Sequence, residues 1–315
     1  MHAVFLDNEG LDTFSFDDLT KECSTLKLFH TSVSEEIPER IAGADLLIVN
    51  KVCITRQHLL ATPSIKLICV VATGTDNIDL QAANELGVTV CNCQAYGTDS
   101  VVQHVFALHT NLLSYHAAVR DGRWQGAHQF CFLDFPIIEL KGKTLGIVGY
   151  GTLGRAIADL GRAFGMQITI ARRPGNPPDD RPPLAEILPK VDILTLHCPL
   201  TEHTRNLIDS NAIGRMKPTA FLINAARGGI VDEAALADAL IAGKLGGAAV
   251  DVLSCEPPRG GNPLLAPHIP NLILTPHIAW ASREARLRIL NQTTKNIQAY
   301  KAGTPVRVVN NPSRL

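Results

Sequence analysis

The chain has 315 residues, 46% of them hydrophobic and 19% charged, which suits a soluble globular protein of two domains better than one. Its 29 basic and 30 acidic residues are interspersed and leave a net charge of −1, so nothing calls for nucleic acid or a membrane surface as partner. No apolar run reaches the ~18 residues of a membrane span. The N-terminal MHAVFLDNEG lacks the basic and apolar regions of a signal peptide, which points to the cytoplasm.

In chain order, short apolar runs alternate with helical patterns. Strands are predicted at residues 3–6, 45–50, 65–71, 88–91, 144–149, 167–171, 191–196, 220–224, 248–252 and 271–275. Continuous apolar strands separated by helices give parallel sheet covered on both faces, the α/β class. DSVVQHVFALHTNLLSYHAAV (99–119) keeps apolar residues at helical spacing for about six turns, long enough to join two domains. SREARLRILNQTTKNIQAYKAG (282–303) could carry the chain back. The expected organisation is a discontinuous domain of residues 1–98 plus 286–315 and a middle domain of residues 99–285.

Eight cysteines (23, 53, 69, 91, 93, 131, 198, 255) contain one C-x-C pair and no zinc-like spacing, and read as reduced, buried, structural thiols. His104, His109 and His116 share a helical pattern without acidic partners, which argues against a metal. His128 has no reading.

The strongest local signal is TLGIVGYGTLGRAIADLGRAFG. An apolar strand runs into Gly149-x-Gly151-x-x-Gly154, which opens a helix, as dinucleotide binding requires: one glycine for the turn, one to admit the pyrophosphate, one for helix packing. Backbone N–H groups of Thr152 and Leu153 would face phosphate at the helix start. The acid that usually holds the adenosine ribose lies about 20 residues beyond the fingerprint. Here that place is the end of QITIARRPG, with Arg172 and Arg173 and no acid. Two arginines suit the extra phosphate of NADPH, so the coenzyme reads as NAD(P) with a lean toward NADPH. The alternative is a solvated strand end with adenine against an arginine plane.

Three later segments each follow a predicted strand. NAARGG (224–229) offers Arg227, DVLSCEPP (251–258) offers Asp251 and Glu256, and TPHIAW (275–280) offers His277. Strand C-termini are where open α/β sheets bind ligands, so a cation, a carboxylate and an imidazole converge on one edge. Taken singly, His277 would be a structural histidine, Arg227 a helix-entry cation, Glu256 a loop carboxylate and Asp251 a turn cap.

The fingerprint GYGTLG, then HCPLTEHTRNLI, INAARGGIVDE, AAVDVLSCEPP and TPHIAWAS, in this order, resembles the D-isomer-specific 2-hydroxyacid dehydrogenases over nearly the whole chain. Within that family, FCFLDFPIIELKGKTLGIVGYG and PHIAWASREAR look most like the glycerate dehydrogenase and hydroxypyruvate reductase group. The resemblance implies two Rossmann-like domains with parallel sheets: a discontinuous, flavodoxin-like substrate domain and a dinucleotide-binding domain, joined by long helices. It implies His277 as acid/base, Glu256 as its hydrogen-bond partner, Arg227 as the grip on the substrate carboxylate, and Asp251 as acceptor for the nicotinamide amide. The loop VATGTDNID is similar to the family's substrate loop, which gives Thr73 and Gly74 substrate contacts through their backbone N–H groups. Thr98, Val101, His197, Cys198, Pro199, Thr204, Ala225 and Ala226 are cofactor contacts by the same carry-over.

Where many members carry two glycines after the catalytic His-x pair, this chain has Ala279 and Trp280. A large indole there would restrict the substrate space, favouring hydroxypyruvate or glyoxylate. Residues 120–140 resemble a dimerisation arm, which implies a homodimer; the alternative is a loop packed on its own chain. Rival readings are a dehydrogenase for another 2-keto acid, such as pyruvate or 3-phosphohydroxypyruvate, and a non-catalytic dinucleotide-sensing protein.

Overall fold

The computed structural model describes residues 1–108, 112–127, 130–135, 137–172, 174–175 and 179–312. The chain divides into two compact units, Met1–Tyr96 with Ser282–Leu315, and Gly97–Ala281. The expected boundaries, after residues 98 and 285, fall two and four residues further along.

In the first unit, strands β1 (His2–Phe5), β2 (Thr25–Leu28), β3 (Leu46–Val49), β4 (Leu67–Val70) and β5 (Thr89–Cys91) form a parallel sheet in the order β2-β1-β3-β4-β5. β3 and β4, LLIV and LICV, are buried throughout, as central strands covered on both faces must be. β2 is the strand that the sequence reading missed. It is an edge strand, largely exposed, and its TLKL carries a lysine in place of a continuous apolar run. Only pairing with β1, from His2 opposite Thr25 to Phe5 opposite Leu28, makes it a strand.

The chain changes direction across this sheet between β1 and β3. There Asp7, just past β1, accepts the N–H groups of Asn50 (2.8 Å), Lys51 (2.5 Å) and Val52 (2.9 Å). Burial raises the Asp7 carboxyl above the usual range, and these hydrogen bonds only partly pull it back.

Helix Arg283–Lys301 begins at Ser282, whose hydroxyl accepts the Ala285 N–H at 3.2 Å, and packs against β4. Asn296 on this helix donates to the Asn92 carbonyl (2.9 Å), and the Val309 N–H reaches the Val90 carbonyl (3.0 Å).

In the second unit, β6 (Thr144–Val148), β7 (Gln167–Ala171), β8 (Ile193–Leu196), β9 (Phe221–Asn224), β10 (Gly247–Val250) and β11 (Leu272–Leu274) are also all parallel, in the order β11-β10-β9-β8-β6-β7. After β7 the chain crosses to the far side of β6 to make β8. The loops after β6 and β8 therefore leave in opposite directions and open a crevice at the strand C-termini. One sheet face packs Ile187, Leu188, Leu236 and Leu240, the other Val101, Val105, Ile157 and Ala279. The stretch expected as one long helix contains Thr98–Leu108 and Leu112–Arg120; residues 109–111 between them, including His109, lie outside the described residues.

The cysteine reading needs correction. Cys69, Cys91, Cys93 and Cys198 are buried, but Cys53 and Cys255 are exposed and Cys23 and Cys131 only partly covered, because the latter four sit in turns and loops. Burial pushes the Cys91 and Cys93 thiols up to about 11 and raises the Cys69 thiol well above its ordinary value, so these three stay protonated. Around residues 120–137, Arg123 pairs with Asp134 (2.6 Å) and the Trp124 indole donates to the Phe130 carbonyl (2.9 Å). Phe130, Leu133 and Ile137 stay exposed. Among the described residues no helix is long and apolar enough to cross a membrane.

Candidate active site

Gly149, immediately after β6, has φ +96°, and a Cβ there would lie 2.5 Å from the carbonyl of His197 just past β8. Only glycine satisfies both the left-handed turn and this approach of backbone to backbone at the crevice. A Cβ at Gly154 would strike the Gly149 carbonyl, whereas one at Gly151 would meet nothing within 4 Å. That open space lies at the start of helix Thr152–Ala163, and Gly151, as its N-cap, has no side chain to satisfy the first N–H groups. Tight glycines around an open, uncapped helix start fit a dinucleotide pyrophosphate, which the N–H groups of Thr152 and Leu153 would hold.

The loop after β8 supports this wall. Thr204, fully buried, donates to the Pro199 carbonyl (2.7 Å) and accepts the Thr201 N–H (2.7 Å). The His197 ring turns back to Thr195 (Nε2 to Oγ1, 2.9 Å), and its Nδ1 is buried without a partner among the described residues. Burial pushes its pKa down to about 4, so the ring is neutral. Thr98 opens the helix that carries buried Val101.

Past β7, the Arg172 N–H donates to the Pro182 carbonyl (2.8 Å) and its Nε to the Arg181 carbonyl (3.2 Å). Arg181 is itself paired with Asp179. Among the described residues Arg172 makes no ion pair, so its terminal nitrogens are not committed to a carboxylate. Arg173 lies outside the described residues, as does His128.

The strands β9, β10 and β11 carry the candidate groups Arg227, Glu256 and His277 on the loops that follow them. Asn224, ending β9 and almost fully buried, donates to the Arg227 carbonyl (2.9 Å) and accepts the Ala226 N–H (3.1 Å). This clamp shapes the turn Ala225–Ala226–Arg227, and the guanidinium Nη1 donates to the Ala226 carbonyl (2.8 Å). At Gly228 a Cβ would lie 1.9 Å from the Leu253 carbonyl, so the arginine loop rests directly on the loop after β10. That second loop is tied twice. Glu256 accepts the Leu253 N–H (2.8 Å), and Glu233 accepts the Ser254 N–H (2.6 Å), the Ser254 hydroxyl (2.7 Å) and the Asn262 amide (2.5 Å).

Glu256 Oε2 then lies 2.6 Å from His277 Nδ1. A carboxylate only accepts, so Nδ1 carries the proton, and Nε2 is the nitrogen left to exchange one. His277 has φ +54°, a conformation that costs a residue with a Cβ about 1–2 kcal/mol. Asp251, buried at the end of β10, over-determines it. The Asp251 carbonyl accepts the His277 N–H (2.7 Å), and its carboxylate accepts the N–H groups of Ile278 and Ala279 (both 3.0 Å) and the Thr275 hydroxyl (2.5 Å). Burial raises the Asp251 carboxyl, but these bonds and His104 outweigh it and hold it below the usual range. Most of its acceptor capacity is spent inside the loop.

The Trp280 indole donates to the His277 carbonyl (2.9 Å), so this side chain also braces the turn. Sequence reasoning missed Asn224, Glu233, Thr275 and His104. It also placed His104 without an acidic partner, which is corrected here: Nε2 is 3.4 Å from Asp251 Oδ1, because helix Thr98–Leu108 packs beside a loop 147 positions later in the chain. In the first unit, the Thr73 hydroxyl donates to the Cys93 carbonyl (2.9 Å), and Asn92 donates to the Thr73 carbonyl (2.8 Å), which fixes the loop that carries Gly74.

A glycine-led helix start at the crevice of a six-stranded parallel sheet, with an arginine and a carboxylate-paired imidazole on neighbouring strand ends, defines a dinucleotide-dependent oxidoreductase. The sequence model of the D-isomer specific 2-hydroxyacid dehydrogenase NAD binding domain matches residues 102–279. The chain belongs to the D-isomer specific 2-hydroxyacid dehydrogenase family and is an NAD(P)-dependent oxidoreductase. It is 44% identical to the glycerate dehydrogenase of Methylorubrum extorquens, over 98% of each chain. Its fold is similar to that of D-lactate dehydrogenase from Aquifex aeolicus complexed with NAD and lactic acid, at 29% identity, covering 99% and 100% of the two chains, with a TM-score of 0.83. It is likewise similar to the NADPH-dependent glyoxylate/hydroxypyruvate reductase from Sinorhizobium meliloti, at 25% identity over 100% of both, with a TM-score of 0.82.

Proposed function

We propose that this enzyme interconverts hydroxypyruvate and D-glycerate, with glyoxylate and glycolate as a second pair. The observation that carries the reading is the His277–Glu256 pair, 2.6 Å apart, beside the Arg227 loop that Gly228 seats against Leu253. In this reading Arg227 grips the substrate carboxylate with a planar fork that a lysine lacks. Glu256 holds the imidazole ring through Nδ1. Nε2 gives a proton to the C2 oxygen as the ketone becomes an alcohol, and takes it back in the reverse direction. The nicotinamide ring, when bound, supplies or accepts the hydride at C2. Carbonyl, hydride and proton balance to the alcohol, secondary from hydroxypyruvate and primary from glyoxylate. The loop at Thr73 and Gly74 is proposed to contribute substrate contacts, and Trp280 to limit the acid's size. The 44% identity to a glycerate dehydrogenase supports the choice of substrate.

The test is NADH and NADPH oxidation, side by side at equal low concentrations, with hydroxypyruvate, glyoxylate, pyruvate and a branched-chain keto acid. Hydroxypyruvate should give the highest kcat/KM, and a branched acid at equal rate would sink the size argument. We propose NADPH as the preferred coenzyme because Arg172 makes no ion pair among the described residues. Arg172→Asp should move preference toward NADH, and an unchanged ratio would remove the assignment. A homodimer formed through the exposed side chains near Phe130 and Leu133 completes the proposal; a monomer by light scattering would contradict it.

A further inference from the structure

His104 has no part in the reaction proposed above, yet it is tied to the loop that carries the acid/base. Its Nε2 lies 3.0 Å from Thr275 Oγ1 and 3.4 Å from Asp251 Oδ1. The one proton of the Thr275 hydroxyl goes to Asp251, at 2.5 Å. A carboxylate and a hydroxyl already spent as a donor can only accept, so His104 Nε2 must be the donor to both. Ser100, one turn earlier on the same helix, donates to the Ala279 carbonyl at 2.6 Å. Helix Thr98–Leu108 thus grips the 275–280 turn at both ends, while Asp251 holds its middle.

We propose that His104 is a positioning residue for His277. Its Nε2–H completes the donor set of Asp251 and keeps Thr275 aimed at that carboxylate. Without it, Asp251 loses a donor and Thr275 is free to turn, and the left-handed conformation of His277 loses part of its support. The inference rests on the reading of His277 as acid/base, but its structural half can be measured without turnover. The chain has two tryptophans, and Trp280 is hydrogen-bonded to the His277 carbonyl. In a Trp124→Phe background, emission therefore reports the turn itself.

In that background, His104→Leu is expected to shift Trp280 emission and to lower kcat for keto-acid reduction by about 10- to 100-fold, the loss that a displacement near 1 Å brings. Coenzyme Kd should stay near the parental value. His104→Gln, whose amide N–H reaches nearly as far as Nε2, should restore both signals, which a merely space-filling histidine would not allow. Thr275→Val removes the bridging hydroxyl by a second route. It should reproduce the shift and add little to His104→Leu in the double variant, and it replaces His104→Leu in the comparison if that variant does not fold. Unchanged emission and turnover in His104→Leu would overturn the proposal, and so would a His104→Gln variant as impaired as His104→Leu. If the parent protein shows no keto-acid reduction, the reading of His277 falls, while emission still decides whether His104 braces the turn.

Discussion

At His277 two demands meet: the ring must be steered by Glu256, and the backbone must sit at φ +54°. Replacing the imidazole alone separates chemistry from binding. His277→Gln should lower turnover by about 10²–10⁴-fold, the usual worth of a positioned acid/base, with coenzyme binding kept by fluorescence titration. Near-normal turnover would refute the assignment. The neutral His197 gives a second residue-level expectation. Its native pKa, near 4, lies below the ordinary 6.5, so between these values the unfolded chain takes up a proton that the native ring refuses. The stabilisation is complete above pH 6.5 and is lost as pH falls toward 4. Urea midpoints should drop over that window, and less steeply in His197→Asn; parallel curves would show that His197 does not contribute. Candidate residues of this kind can be named from the sequence where a motif resembles a known chemistry, as for Arg227, Glu256 and His277. Asn224, Glu233 and His104 were not legible in this way, because their partners are backbone groups or lie far away in sequence.

Among the elements, the glycines divide by what surrounds them. Gly228→Ala would drive a Cβ into the Leu253 carbonyl, backbone against backbone, so one of the two loops must move. We expect a loss of about 1–3 kcal/mol in stability, as for overpacking, together with reduced kcat. Gly151→Ala meets open space and should leave the urea midpoint unchanged. It should weaken coenzyme binding by about tenfold or more, because the pyrophosphate would need that space. A destabilised Gly151→Ala with normal coenzyme affinity would contradict this division. The sequence pattern disclosed the strands buried on both faces, since continuous apolar runs such as LLIV and LICV have few other uses. It hid β2, whose TLKL gains its structure only from hydrogen bonds to β1.

At the scale of the whole molecule, each unit has its own sheet and core, and the coenzyme is expected to act on only one of them directly. A ligand that binds the native state stabilises it by about 2.7 kcal/mol at 100 times its Kd. Hydrogen exchange with saturating coenzyme should therefore slow most at residues 149–155, with β2 at the outer edge of the first sheet unaffected. Equal slowing in both places would argue for a single cooperative unit. The sequence suggests a division into two units through two long helical patterns, one near residue 99 and one near 283. Helical periodicity runs unchanged through a boundary that tertiary contacts alone define, so the pattern does not fix the position of either break. The tie between Asn296 and the Asn92 carbonyl carries a consequence for biosynthesis. On a ribosome the second unit has all its strands once residue 281 has emerged, whereas the first sheet, begun at residue 2, lacks the helix that covers β4 until residues 283–301 follow. The unit that starts first must finish last, and its central strands wait partly uncovered while the coenzyme unit closes.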